Sequence, residues 1–322
     1  MPKYKKISSK IEQITIDNPK TEKKGVTWYN IVDAGKKEIE FLRKKFNFQL
    51  KHLQASTAKA VSQRPYLEVC DGYLFLILHF PIFDKDKIFA GEIDFFIGHG
   101  YLITIHNKSV PMLGNFFNSC RKDDNYLLSY NLESSAILLY EILQKLMTEN
   151  YTLLDKNSIA INEVDQILFA KEARKLNFEI LKLKRNVLNL RKIIQNHKNI
   201  LKKLLEMDSS IVTKKQLKKY YLSLIEHSKR VWEITENQKE HIDALYTTAE
   251  SLMNYRISNI MKMLTLLSVI VLPLNLLASI FGMNFNKSMP MVGTNYGFWI
   301  MIILMSLSSL TILIIFAKKK WL

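Results

Sequence analysis

The hydrogen-bonding side chains of Ser268, Asn275 and Ser279 interrupt an apolar run that holds no charged residue from Met263 to Asn286. A serine or an asparagine inside such a run is costly unless its polar atoms find a hydrogen-bond partner or water. Two arrangements meet that need. The side chains can bond a neighbouring helix and hold it in place, or they can line a path that contains water.

The spacing of these residues places them on one helical face, because positions three and four apart lie along a single side of an α-helix. The face alternates small polar and bulky apolar side chains: Ser258, Met261, Leu264, Ser268, Leu272, Asn275 and Ser279. A pore needs this alternation, since polar positions hold a hydrated ion and apolar positions close by dewetting. A packing seam between helices can have the same spacing, so both interpretations stay open.

Two stretches near the end of the chain are long enough to cross a membrane. The first is the run from 263 to 286, and the second is an uncharged run from Tyr296 to Ala317. At about 1.5 Å per residue, each covers the roughly 30 Å hydrocarbon core. We therefore expect two transmembrane helices joined by a short loop.

The flanking charges predict the orientation of these helices. Arg256 and Lys262 precede the first span, three lysines at 318–320 follow the second, and the connection carries only Lys287. Positively charged residues stay on the cytoplasmic side. Both termini are therefore expected in the cytoplasm, with the chain in the plasma (inner) membrane.

A long helical region precedes the first span. Apolar residues at helical spacing continue from 133 to 206, and MDSSIVT (207–213) is the only clear break before the membrane. From about Lys214 no proline occurs until Pro273, which predicts one very long stalk helix that enters the membrane. Pro273 lacks a backbone N–H and frees one carbonyl inside the span.

The first 130 residues have a different pattern. Two runs rich in β-branched and aromatic residues, 66–83 and 92–107, are bounded by Gly, Asp and Asn and predict sheet strands. Helical patterns flank them near 35–47 and 109–122. Together they predict a small α/β domain.

Composition and motifs exclude several classes of protein. The formal charge is +16, but the lysines are spread along helices without interleaved stacking aromatics, so no nucleic-acid partner is expected. The sequence has no Gly-rich phosphate loop, no nucleophile elbow and no H-E-x-x-H, so we expect no enzyme and no organic cofactor. The flanks of Cys70 and Cys120 suggest no metal site. The N-terminus has no apolar core, so no cleavable signal peptide is expected.

The stretch FGMNF (281–285), at the outer end of the first span, resembles the G-M-N signature of the CorA magnesium channel family. The likeness covers most of the chain and is weakest over the first sixty residues. Four further stretches are similar to that family: IMKMLT (260–265) with LPL (272–274), the basic ending KKKWL (318–322), RPYLE (64–68) and YLF (73–75).

The resemblance implies an α+β membrane protein that forms a funnel-shaped homopentamer, with Mg²⁺ as transported and possible regulatory ion and with membrane lipid as its surroundings. It divides the chain into a cytosolic α/β domain (1–130), a helical bundle and stalk (131–262), a pore-lining first transmembrane helix (263–285), an outer loop (286–296), a second transmembrane helix (297–317) and a basic cytosolic tail (318–322).

The resemblance also implies a role in transport for each residue of the signature. Asn284 is expected to form the selectivity ring, and Gly282 and Met283 to position it, with Gly282 letting the backbone turn at the helix end. Ser268 and Asn275 become inner polar positions. Met261, Leu264 and Leu272 become a hydrophobic gate. A ring of neutral amides can hydrogen-bond the water shell of Mg²⁺, which this ion gives up reluctantly.

The sequence departs from the family in two places. The loop NKSMPMVGTN after the signature has Lys287 and no acid, although family members often have acidic residues there. Ser223 stands where the family's sensing aspartate is expected. Asp84, Asp86 and Glu226 are the remaining candidates for regulatory metal binding.

Three functions follow as hypotheses. The first is a passive Mg²⁺ channel driven by the membrane potential and gated by movement of the cytosolic domain. The second is a transporter of another divalent ion, such as Co²⁺, Ni²⁺ or Zn²⁺. The third is a membrane-tethered scaffold or signalling protein whose helices bind a partner.

Overall fold

The computed structural model describes residues 3–16, 25–57, 64–107, 110–122, 134–168, 173–207, 209–211, 214–283 and 296–319. The chain forms two compact units, Met1–Tyr246 and Thr247–Leu322. The helix α7 (Lys214–Phe281) contributes residues to both units, and α8 (Gly297–Lys318) lies in the second. Both helices are long and apolar enough to cross a membrane.

The first unit is built on one seven-stranded sheet. Its strands are β1 (Lys3–Lys6), β2 (Ile11–Ile16), β3 (Val26–Val32), β4 (Tyr66–Cys70), β5 (Tyr73–Asp84), β6 (Lys87–Gly98) and β7 (Tyr101–His106). Their order across the sheet is β1-β2-β3-β7-β6-β5-β4. β3 and β7 are parallel, and the other neighbouring pairs are antiparallel.

Six further helices complete this unit: α1 (Lys36–Phe46), α2 (Leu50–Ala55), α3 (Pro111–Lys122), α4 (Ser135–Ile167), α5 (Ala173–Ile194) and α6 (His197–Glu206). α1 and α2 cover one face of the sheet, where Leu42 and Leu53 are fully buried. α3, α4, α6 and the start of α7 cover the other face and share one apolar core with it. That core draws on the chain well beyond residue 130.

Burial on both faces explains the sequence of β5. Its residues 73–82 are all buried, so the strand is a nearly continuous apolar run. Trp28 on β3 is also fully buried, and its indole N–H donates to the Thr104 hydroxyl at 3.0 Å. Sheet strands predicted over 66–83 and 92–107 are confirmed, as are the helices near 35–47 and 109–122.

The predicted continuity of the helical region was wrong in two places. α4 ends at Ile167 and α5 begins at Ala173, and a second break at Gln195 and Asn196 separates α5 from α6. The break predicted at 207–213 is present between α6 and α7. The physical reason for the extra breaks is packing: α5 returns along α4 and also contacts β5 and β6, so each helix buries its apolar face.

A buried carboxyl group lies on β6. Asp94 is 3% exposed, and its Oδ1 has no hydrogen-bond partner among the described residues. Burial first, and the nearby Glu92 carboxylate second, raise the pKa of Asp94 to about 8. The folded unit therefore holds this carboxyl in its protonated form at neutral pH.

The buried carboxyl predicts a pH-dependent stability. Because the pKa of Asp94 is higher in the folded chain than in the unfolded chain, its contribution is complete below about pH 4 and is lost as the pH rises toward 8. Asp94→Asn keeps the shape of the protonated acid, so we expect it to raise the thermal unfolding midpoint at pH 8 and to change it little at pH 4. Each pKa unit corresponds to about 1.4 kcal/mol.

The measurement is a pH series of thermal unfolding on the full-length protein in detergent. Asp155→Asn, on an exposed position of α4, is the matched control and should show no such trend. Equal midpoint shifts for Asp94→Asn at the two pH values would contradict the prediction.

Candidate functional site

The seven residues predicted to line a path all lie on α7 and are all exposed in the single chain. The large apolar members are well exposed: Leu272 is 66%, Met261 58% and Leu264 52% accessible. Ser268, Asn275 and Ser279 share the exposed face with them.

The opposite face of the same helix segment is partly covered. Its half-buried residues also recur at steps of three and four: Leu266, Ile270, Pro273, Leu274, Leu277 and Phe281. At about 100° per residue, the centre of this face lies roughly 180° from the centre of the face that carries Ser268 and Asn275. The polar side chains are therefore turned away from the covered side of the helix.

α8 has one partly covered face of the same kind. It consists of Met301, Met305, Ser308, Ser309, Ile312, Leu313 and Phe316. No residue of α8 is fully buried in the single chain. Each helix of this unit thus has one partly covered face and a wide exposed remainder, and only α7 puts an asparagine on the exposed part of its apolar segment.

The described part of the chain reaches two residues past α7. The Gly282 N–H donates to the Ala278 carbonyl at 2.9 Å, and the Met283 N–H donates to the Ile280 carbonyl at 3.4 Å. Gly282 follows the last residue of α7, and the backbone leaves the helix there without a positive φ. Space is the constraint instead, because a Cβ at this position would lie 3.1 Å from the Ala278 oxygen. Asn284 lies outside the described residues.

Asp84 and Asp86 lie at the tip of the β5–β6 hairpin. Lys85 and Asp86 both have positive φ, which is the conformation of a two-residue type I′ turn. Both aspartates are exposed. The Asp86 carboxylate forms an ion pair with Lys182 at 2.9 Å, and its carbonyl accepts from the Asn186 amide at 2.9 Å. Asp86 therefore helps to dock the hairpin on α5.

Glu226 is exposed on α7, as is Ser223. Among the described residues of one chain, Asp84, Asp86 and Glu226 do not form a group of ligand atoms close enough to hold one metal ion. The structure thus brings the two aspartates together at one turn and does not join the glutamate to them. The exposed Asp86–Lys182 pair is weak, so it leaves the carboxylate accessible to a cation.

A further group of metal-ligating side chains lies under α2, and the sequence analysis did not find it. His52 Nε2 is 3.2 Å from Glu68 Oε2, and Cys70 Sγ is 3.9 Å from His52 Nδ1. Lys51, followed by Tyr66, lowers the pKa of Glu68 to about 2, whereas burial lowers the pKa of His52 and raises that of Cys70. The sequence flanks of Cys70 suggested no metal site, and the structure places the side chains of His52 and Glu68 beside it. No linear motif signals the group, because His52 is far from Glu68 in the chain.

Comparison with protein families gives one match over nearly the whole chain. The family model described as CorA-like Mg²⁺ transporter protein matches residues 23–319. This range includes the strands β3 to β7 and both apolar helices, and it leaves out β1 and β2.

Individual relatives have low sequence identity to this chain, but the matches cover most of both chains. YfjQ of Bacillus subtilis is 26% identical over 302 residues, which are 94% of this chain and 92% of that protein. The cobalt/magnesium transport protein CorA of Thermotoga maritima is 24% identical over 299 residues, 92% of this chain and 83% of that protein. The solved structure of the CorA magnesium transporter from Methanocaldococcus jannaschii has the same fold, with a TM-score of 0.82, 21% identity and coverage of 97% and 96% of the two chains.

We expect the exposed face of α7 to be in contact with water and the partly covered face to be shielded from it. In a background in which Cys70 is replaced by serine, single cysteines at Ser268 and Asn275 should react with a water-soluble thiol reagent. Cysteines at Ile270 and Leu277, on the partly covered face, are the matched controls. We expect the first pair to react at least about tenfold faster, because the reactive thiolate forms only where water reaches the sulfur.

The reaction is measured by mass spectrometry on the protein in lipid vesicles. Similar slow rates at all four positions would mean that Ser268 and Asn275 face lipid or another helix, and would support the packing interpretation.

Proposed function

This chain belongs to the CorA-like Mg²⁺ transporter family, and we propose that it forms a passive Mg²⁺ channel in the plasma membrane. Membership in a transporter family agrees with the expectation that the chain is not an enzyme. The observation that carries the proposal is the exposed face of α7, on which serine and asparagine alternate with bulky apolar residues.

The exposed face supports self-association around a water-filled path. An asparagine in a membrane helix needs a polar partner or water, and the covered face of α7 does not include Asn275. Copies of α7 arranged around one axis satisfy this need, because their polar faces then meet water and α8 remains on the outside. We propose that five copies assemble in this way, as the family resemblance implies.

Along the path, each kind of side chain has a proposed task. Ser268, Asn275 and Ser279 offer neutral oxygens that hydrogen-bond the water shell of the ion without removing it. Met261, Leu264 and Leu272 form an apolar constriction that closes by dewetting when the helices approach. Asn284 forms the outer selectivity ring. Ser258 lies at the cytoplasmic end of the same face.

The membrane potential provides the driving force in this proposal. An inside-negative potential favours entry of a divalent ion by about 4.6 kcal/mol per 100 mV, twice the value for one charge. No nucleotide is required. Arg256 and Lys262 before the first span, and the lysines after the second, support an orientation with both termini in the cytoplasm.

The proposal also includes gating by Mg²⁺ in the cytoplasm. Asp84 and Asp86 are exposed carboxylates at one turn, and Glu226 is an exposed carboxylate on α7. In an assembly, acids of neighbouring chains can share a cation that neither chain binds alone. Lys182 competes for Asp86, so we expect Mg²⁺ to act on this turn only at high concentration.

The channel proposal is tested by Mg²⁺ influx into vesicles that hold the purified protein, with an inside-negative potential. We expect influx for the wild type and a loss of at least about tenfold for Asn284→Ala, because the mutant lacks the amide oxygens that hold the hydrated ion. Asn286→Ala changes an asparagine outside the signature and should retain influx.

The result that would overturn the proposal is an absence of wild-type influx in vesicles that contain folded oligomers. Wild-type influx that Asn284→Ala leaves unchanged would retain the channel and remove Asn284 from its selectivity ring.

Transport of another divalent ion is the second candidate function. It is favoured by the loop after the signature, which has a lysine and no acid, and by relatives named as cobalt/magnesium transport proteins. In the same vesicles, Co²⁺, Ni²⁺ and Zn²⁺ are added separately against a fixed Mg²⁺ concentration. We expect Mg²⁺ entry to continue at equal concentrations of the competitor, because recognition through the water shell does not favour transition metals. If one of them instead enters faster than Mg²⁺, that ion is the principal substrate.

A further inference from the structure

Three side chains with different ligand atoms meet where α2 packs on the edge of the sheet. His52 is on α2, and Glu68 and Cys70 point to the same side of the edge strand β4. One ligand atom from each lies within 4.8 Å of the others. Among the described residues, this is the one group of three or more histidine, cysteine or acidic side chains with such spacing.

The distances suit a single small metal ion. Around tetrahedral zinc, with bonds of about 2.0–2.1 Å to nitrogen and 2.3 Å to sulfur, neighbouring ligand atoms are separated by roughly 3.3–3.7 Å. The 3.2 Å between His52 Nε2 and Glu68 Oε2 is close to this range already. Cys70 Sγ lies 3.9 Å from Nδ1 of the same ring and within 4.8 Å of the other ligand atoms of the group, so its side chain has to move closer to complete the set.

We propose that His52, Glu68 and Cys70 form a binding site for a divalent transition-metal ion such as Zn²⁺ or Co²⁺. The donor set decides the class of ion. Imidazole and thiolate suit zinc, cobalt and nickel, whereas Mg²⁺ takes oxygen ligands in an octahedron and keeps most of its waters. The site is therefore distinct in chemistry from the path proposed along α7.

Neighbouring groups hold the histidine in position. The Tyr73 hydroxyl lies 2.8 Å from His52 Nδ1 and accepts from the Gln49 backbone N–H at 3.1 Å. The imidazole also stacks on Phe75, with ring centres 4.3 Å apart. With Nδ1 bonded to the tyrosine, Nε2 is the atom directed at Glu68. Metal-ligating histidines are commonly fixed in this way through their second nitrogen.

The group is accessible to solvent on one side. His52 is buried, but the Glu68 side chain is 24% exposed and Cys70 is half-buried. An ion can therefore enter from the Glu68 side and retain a water molecule as its fourth ligand. Three protein ligands and one water are the usual arrangement of a zinc site that is open to solvent.

One positive charge opposes metal binding. Lys51 Nζ lies 2.6 Å from Glu68 Oε1, while Oε2 faces His52 and also accepts from the Tyr66 hydroxyl. The lysine holds Oε1 and repels a cation beside it, so a bound ion shares Oε2 with the Tyr66 hydroxyl. Removing this charge should tighten metal binding without altering any of the three ligands.

The experiment is a Co²⁺ titration of the full-length protein in detergent, under reducing conditions and with Mg²⁺ in large excess. We expect one cobalt per chain with a thiolate-to-cobalt charge-transfer band and the visible bands of a four-coordinate ion. Cys70→Ser should abolish the charge-transfer band, and His52→Gln should weaken cobalt binding at least about tenfold. Cys120→Ala is the matched control, because that cysteine is buried in the other core.

Lys51→Met provides a second test that keeps all the ligands. It should lower the cobalt concentration at half-saturation several-fold, whereas Lys51→Arg should leave it nearly unchanged. Thermal unfolding confirms that each variant is folded.

A wild type without the charge-transfer band, a band that persists in folded Cys70→Ser, or a site that excess Mg²⁺ empties would each overturn the proposal and leave a hydrogen-bonded structural cluster. The titration is done on solubilised protein, so its outcome does not depend on whether the chain transports Mg²⁺.

Discussion

The amide of Asn275 sets the main constraint on the second unit. It lies in an apolar helical segment without charged residues, where a polar group with no partner costs several kcal/mol. The partly covered face of α7 is opposite to this amide and is wholly apolar. The covered side of α7 therefore provides no polar side chain that could bond the Asn275 amide. In the proposed assembly, repeated copies of α7 around a wet axis give every such amide water or a neighbouring amide as its partner.

Buried polar side chains of the first unit also need hydrogen-bond partners. On the face of the sheet that packs against α3 and α4, the Thr104 hydroxyl accepts from Trp28 and donates to Asn30, whose side-chain oxygen lies 3.1 Å from His106 Nε2. This network lets polar side chains remain within an apolar core. Asp94, on the other face, lacks a full set of partners, and its carboxyl stays protonated instead. The two outcomes are alternative ways to avoid a buried charge.

Periodicity predicted the elements with the strongest patterns. The β-branched and aromatic runs from β4 to β7 and the helical pattern of α7 are long, so composition and spacing were sufficient to identify them. The strands β1 and β2 were missed because they are short and rich in charged or polar residues, and the buried strand β3 was missed with them. The breaks around α5 were missed because helical spacing persists across them. They are set by the need of α5 to pack on α4 and on the sheet, which local sequence does not reveal.

The chemistry of the two candidate sites also explains why they are separate along the chain. A transport path must bind its ion weakly enough to release it, and histidine or cysteine in that path would trap trace transition metals. Residues 247–283 contain neither histidine nor cysteine, and the polar members of the exposed face defined above are uncharged: Ser258, Ser268, Asn275 and Ser279. His52 and Cys70 lie in the first unit, on α2 and the edge strand β4. A chain that moves hydrated Mg²⁺ along one helix can therefore bind a transition metal elsewhere without loss of selectivity in the path, because water-shell recognition and direct ligation use different atoms.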